Sequence, residues 1–266
     1  MLTRTPTPFT KKSTLPRYAL ALPLSLLMAG AGCDDGDEPT TEDYDDVAQA
    51  LGSSAADGDG GGEAGSLRAA VELSTGDMPL GFTLAADGSI VGDHLGVTYS
   101  FELTCEDADG DTLALCGSDT AAADVELAWS GQLDLPNVDA SVERTGSWRL
   151  TDLDGAIAHV DGESSFNYDL ELRSTFRPVT RTYMLDYAAS YDAVAVADDG
   201  TLVGGSISYA VDAERTVDGT NRDVEASFSI DATLTFDGDG TGTLVLDGSH
   251  TYQVDLQTGA TLAVDA

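Results

Sequence analysis

Beyond residue 80 the chain alternates apolar and polar side chains, run after run. Leu95, Val97, Tyr99, Phe101 and Leu103 keep one phase, as do Val125, Leu127, Trp129, Leu133 and Leu135 around Gly131, and Phe166, Tyr168, Leu170 and Leu172. Ile207, Tyr209, Val211 and Ala213 form another run. The longest begins at Val224 and continues through Ala226, Phe228, Ile230, Ala232 and Leu234 to Phe236. A period of two puts successive side chains on opposite faces of a strand, so each run offers one face to a core and one to water. Asp87-Gly88, Asp199-Gly200, Asp218-Gly219 and Asp237-Gly238 fall between runs, where tight hairpins need positive φ. The pattern predicts an all-β fold, an antiparallel up-and-down meander of about ten to thirteen strands. So wide a sheet is expected to curve into a barrel or a sandwich, because a flat one leaves long edges. Gly131, Gly146, Gly204, Gly205 and Gly248 are placed at bends or bulges of that sheet.

The segment before the strands reads differently. Residues 41–51 have Tyr44, Val47, Ala48 and Leu51 at helical spacing, with Thr41 as N-cap, acids in the first turn and Gly52 as a stop. So short a helix is marginal alone and must dock on something. A Gly/Ser/Asp-rich linker follows. Residues 66–75 are rich in helix formers, with Ser66 as a cap and Gly76 as a stop, and a second short helix is expected there. The chain divides into 1–32, an acidic tether 33–65 that includes the first helix, and a single β domain 66–266.

Residues 1–32 carry Arg4, Lys11, Lys12 and Arg17 and no acid. An apolar run from Tyr18 to Met28 leads into Ala29-Gly30-Ala31-Gly32 and then Cys33. A basic start, a short apolar stretch and a small-residue exit describe a secretory signal, and the apolar run is too short to span a hydrocarbon core. These residues resemble the lipobox of bacterial lipoproteins, although Gly30 stands where Leu is usual. The resemblance implies acylation of Cys33, which becomes the mature N-terminus, and an exported protein tethered to the inner or outer membrane. Ordinary signal cleavage, with Cys33 a bystander, is the alternative.

Charge sharpens this picture. The chain has 47 Asp and Glu against 12 Lys and Arg, a formal net charge of −35. Without residues 1–32 the balance is eight arginines against the same 47 acids, or −39, with no lysine. Such acidity argues against nucleic acid and anionic surfaces as partners, since both demand clustered bases.

Three matches to Gly-x-x-[Ser/Thr]-[Phe/Tyr] start at Gly162, Gly205 and Gly248, at one constant spacing. They point either to duplicated hairpins or to chance in a Gly/Ser/Thr-rich β sequence.

Candidate chemistry is sparse. With Cys33 set aside, Cys105 and Cys116 end two adjacent runs, and in an exported protein a disulfide between them is expected, two free buried thiols being the alternative. Asp107, Asp109 and Asp111 surround Gly110 like part of a calcium loop, but the EF-hand spacing is absent and a solvated turn is the default. No other cofactor is suggested. His94, His159 and His250 show no metal-ligand spacing, and no nucleophile elbow, P-loop or dinucleotide fingerprint occurs. Tyr183, Tyr187, Tyr191, Tyr209 and Tyr252 share the apolar phase, and so many hydroxyls on one face suggest a wet cavity or rim. Arg144 also falls in the inward phase, with Val142 and Trp148. A register shift near Gly146 is expected to turn it outward; the alternative is a ligand-holding lumen with a charged anchor.

The sequence therefore predicts a membrane-anchored envelope protein whose acidic β domain binds or builds rather than catalyses. An integral outer-membrane barrel and a carboxylate-using hydrolase are the alternatives.

Overall fold

The computed structural model describes residues 39–56, 62–94, 97–135, 137–174, 179–218 and 224–264. Two helices, α1 (Thr41–Ala55) and α2 (Glu63–Ser74), precede twelve strands: β1 (Phe82–Leu84), β2 (Ile90–His94), β3 (Val97–Glu106), β4 (Ala122–Leu135), β5 (Val138–Thr151), β6 (Ile157–Arg173), β7 (Thr180–Ala197), β8 (Leu202–Asp218), β9 (Val224–Phe236), β10 (Thr241–Leu246), β11 (His250–Asp255) and β12 (Thr261–Ala263). The strands form one antiparallel sheet in strict chain order, and β1 and β12 end that order without closing it into a barrel.

Hairpin chemistry matches the sequence. Gly88, Gly200 and Gly238 sit at φ 96°, 80° and 82° in the turns after β1, β7 and β9. In the first two of these turns an aspartate accepts from a backbone N–H two residues on: Asp87 from Ser89 at 3.1 Å and Asp199 from Thr201 at 3.0 Å. Gly219 of the Asp218-Gly219 turn lies outside the described residues, as does Cys33.

The phase of the alternation also holds. Across β3 to β9 one inward row reads Tyr99, Trp129, Arg144, Phe166, Tyr187, Val211 and Ile230. Ile230, Ala232, Leu234 and Phe236 of β9 are buried, while Ser229, Asp231, Thr233 and Thr235 face water. The two helices cover the inward face: α1 rests on β10, β11 and β12, α2 on β3, β4 and β7, and the helices touch each other. Val47, Ala48 and Leu51 of α1 and Leu67, Ala70 and Leu73 of α2 join the strand side chains in one continuous core.

The helix boundaries differ from the sequence reading. Thr40, not Thr41, caps α1: its hydroxyl accepts from Asp43 N at 3.3 Å, and the Asp43 carboxylate accepts from Thr40 N at 2.9 Å, a reciprocal capping box. Gly52 does not stop the helix. A Cβ there would lie 2.6 Å from Thr261 Cγ2 and 2.8 Å from the Gly259 carbonyl oxygen, so this glycine permits close approach of α1 to β12. The second helix starts earlier than Ser66, at Glu63, and ends where Gly76, at φ 91°, turns the chain.

Of the glycines expected at bends or bulges, Gly204 and Gly205 lie opposite an irregularity, whereas Gly146 does not. Register is continuous through Gly146 on both sides, and the irregularities lie between Val160 and Gly162 and between Asp192 and Val196. The three Gly-x-x-[Ser/Thr]-[Phe/Tyr] matches are not structural equivalents. Gly162 and Gly205 lie within β6 and β8 at or opposite those bulges, whereas Gly248 sits in the β10–β11 turn.

Candidate functional site

The uninterrupted register of β5 carries Arg144 inward, which corrects the outward placement expected from a bulge at Gly146. The side chain is 0% exposed. Its guanidinium carbon lies 5.3 Å from the centroid of the Trp129 ring, 5.2 Å from that of Phe166 and 5.8 Å from that of Tyr187. Neighbouring strands thus surround the cation with π faces, which attract it where water is absent. Its Nη2 donates to Glu63 Oε1 at 3.1 Å, to Ser54 Oγ at 2.8 Å and to the Tyr187 hydroxyl. Nε and Nη1 have no hydrogen-bond acceptor among the described residues.

Glu63 is the counter-charge. It is the first residue of α2 and 1% exposed. Its Oε1 accepts from the Tyr187 hydroxyl at 3.1 Å and its Oε2 from the Tyr209 hydroxyl at 2.5 Å. The free N–H groups of the first helical turn add positive potential beside this carboxylate. Ser54, in the last turn of α1, lies 2.6 Å from the Tyr187 hydroxyl. One buried knot therefore ties both helices to β5, β7 and β8.

Burial alone would pull the Arg144 pKa down. Tyr187, Glu63, Tyr191 and Tyr209 outweigh it and hold the guanidinium above its ordinary value. Burial drives the hydroxyls of Tyr187, Tyr191 and Tyr209 well above the usual tyrosine range, so all three remain protonated donors.

The five tyrosines expected on one face divide by task. Tyr187 and Tyr209 bind Glu63, and the Tyr191 hydroxyl lies 3.0 Å from Ser164 Oγ. Tyr252 donates to Asp45 of α1 at 2.8 Å, a second fastening between helix and sheet. Tyr183 stands apart: it is half-buried and its hydroxyl has no hydrogen-bond partner among the described residues. The helices, rather than a wet cavity, supply most of the partners. Ser54, Glu63 and Asp45 were not visible as site residues in the sequence. The usable signal was an arginine in the inward phase of an apolar core, which demands a carboxylate from elsewhere in the chain.

Cys105 and Cys116 are joined, with S–S 1.99 Å and Cα–Cα 5.4 Å. Inside that bridge Asp107 Oδ1 accepts from Asp109 N at 3.0 Å and Asp111 N at 2.9 Å. The carboxylate closes a turn, and Asp109 and Asp111 point into solvent. Among the described residues no three His, Cys, Asp or Glu side chains come together as metal ligands.

The outer face of the sheet carries a groove of about 650 Å³ across β3 to β7. Small side chains (Ser100, Ala128, Ser165) and acidic ones (Glu102, Glu126, Glu163) line it.

No protein-family model matches this chain, and neither characterised proteins nor solved structures give a match. The reading of the site rests on its own geometry. The knot around Arg144 holds charge and hydroxyls away from water, with every member engaged in joining helix to sheet. That is the chemistry of a fastening.

Proposed function

We propose that the chain is an exported, lipid-anchored envelope protein whose acidic domain serves a binding or surface-structural role without catalysis. The observation that carries this reading is Cys33, set directly after a basic, then apolar, then small-residue leader. Thr40, the cap of α1, follows it by seven positions. Fully extended they reach about 23–25 Å, so an anchor at Cys33 keeps the folded domain close to its membrane.

The domain fits that setting as a partly closed barrel wrapped around α1 and α2, which take up the space a ligand would occupy in an open lumen. The alternative of a membrane-spanning barrel needs an apolar outer surface. Here Glu102, Glu126, Glu143, Asp212 and Asp231 are exposed on the outward face, which favours a hydrated sheet. No helix among the described residues is long and apolar enough to cross a membrane.

Expression of the full chain and of Cys33→Ser, followed by detergent-phase partitioning and mass spectrometry of the N-terminal peptide, tests the anchor. The native chain partitions with detergent and carries acyl mass on Cys33, and Cys33→Ser moves to the aqueous phase. Equal partitioning of the two overturns the reading.

A further inference from the structure

The inward row that carries Arg144 begins two strands earlier, at Phe82 of β1. Phe82 pairs with Gly92, Gly92 with Tyr99, and Tyr99 with Trp129. A Cβ at Gly92 would lie 2.9 Å from Cδ1 of Phe82, so this glycine lets the phenyl ring lie down on the inward face. There its centroid stands 6.0 Å from that of Tyr99 and 5.7 Å from that of Phe101. Between these three rings and α2 is a cavity of about 170 Å³.

Helix α2 turns small residues toward it. Leu67, Ala70 and Leu73 join the core, whereas Gly65, Ser66 and Ala69 line the cavity. Ser66 is 2% exposed, and its hydroxyl has no hydrogen-bond partner among the described residues. A buried hydroxyl left so costs free energy that a polar group inside the cavity would restore. Leu80 also lines the cavity and is fully exposed, so the cavity opens to solvent beside it. Charge on the wall is balanced: Arg68 and Glu72, one helical turn apart on α2, are both part of it. Burial pushes the Tyr99 hydroxyl up to about 12, so that ring stays neutral.

We propose that this cavity binds an uncharged single-ring molecule bearing one hydroxyl, a phenol, with its ring among Phe82, Tyr99 and Phe101 and its hydroxyl on Ser66. Size follows from volume, since a cavity of about 150 Å³ lined by apolar side chains takes a benzene-sized guest. The tilted and edge-on rings offer the contacts that aromatic guests prefer. The unpartnered hydroxyl of Ser66 selects a guest with one polar group over one with none, and opposite charges a turn apart favour neither an anion nor a cation. The inference gives a ligand class to the binding role proposed above and rests on that role.

The test uses the full chain carrying Cys33→Ser, so that neither an acyl chain nor detergent competes for the probe. Phenol and toluene, alike in shape and different in the hydroxyl, are titrated by calorimetry. Phenol binds once per chain. Ser66→Ala weakens phenol about tenfold, the loss of one hydrogen bond, and leaves toluene unchanged. Ala69→Leu fills the cavity and abolishes both, with thermal melts confirming that the variants fold. Absence of phenol binding, or binding that either variant leaves unweakened, overturns the inference. Equal losses of phenol and toluene on Ser66→Ala overturn the assigned hydroxyl contact. Detergent partitioning of the native chain is read separately: acylation at Cys33 without phenol binding removes the ligand and keeps the anchor, whereas phenol binding with an unacylated Cys33 removes the anchor alone.

Discussion

Arg144 on β5 and Glu63 at the start of α2 face each other at 3.1 Å with both side chains sealed from water. Desolvating two charges is costly, and the pair is tolerated because hydroxyls of Tyr187 and Tyr209 and three aromatic rings complete its surroundings. Breaking such a pair from one side is worse than removing it. Arg144→Met or Glu63→Gln alone is expected to destabilise by about 3–5 kcal/mol, and the double variant by clearly less than the sum. Denaturant titrations of the three variants check this; strict additivity would falsify the coupling.

Asp46 supplies a pH signature. Burial raises its pKa from 3.8 to about 6, aided by Asp43, Glu42 and Asp45 and opposed by Arg215. An acid whose pKa is raised on folding holds a proton that the unfolded chain has released. Its contribution is therefore fully present at low pH and is lost as pH rises through the window from 3.8 to about 6. Asp46→Asn should raise the melting temperature at neutral pH and leave it nearly unchanged near the lower end of that window. Equal effects at both would contradict the assignment.

The disulfide closes a separation of 11 residues. Constraint of the unfolded chain by a loop of that size is worth roughly 3 kcal/mol in the chain-entropy treatment. Reduction, or Cys116→Ser, is expected to lower stability by an amount of that order. Thiol labelling of the unfolded, unreduced protein should modify neither Cys105 nor Cys116.

Gly205 and Gly248 share a sequence motif and separate in their tolerance. Both have positive φ, 84° and 67°. A Cβ on Gly205 would stand 2.3 Å from the Ala193 carbonyl oxygen, whereas one on Gly248 meets nothing within 4 Å. Gly248→Ala should cost about 1–2 kcal/mol, the left-handed backbone penalty alone. Gly205→Ala should cost more, and equal melting temperatures for the two variants would show that the close approach is unimportant.

How much of this was legible in the sequence follows from the range of each signal. Alternation is local and survives folding, so the strands, the inward set from Ile230 to Phe236 and the aspartate–glycine turns were readable. Gly52 was misread because a helix stop and a close helix–strand approach both select glycine, and only the distant Thr261 distinguishes them. Arg144 was misread because the bulges occur at Gly162 and after Asp192, where glycine content gave no sharper cue than at Gly146. Glu63 was invisible because it stands in a Gly- and Asp-rich stretch that resembles solvated linker, and its partner lies 81 positions away.

Strict strand order has a consequence for how the molecule comes together. Each strand finds its partners next to it in the chain, so the sheet can grow hairpin by hairpin as the chain emerges. The seat of α1 is different: Gln49 donates to the Gly259 carbonyl at 3.1 Å, a contact spanning 210 positions. The earliest helix must wait for the latest strands. Pulse-labelled hydrogen exchange during refolding should therefore find the α1 amides protected after those of β6 to β8, with the C-terminal strands acting as the clasp that commits the whole domain.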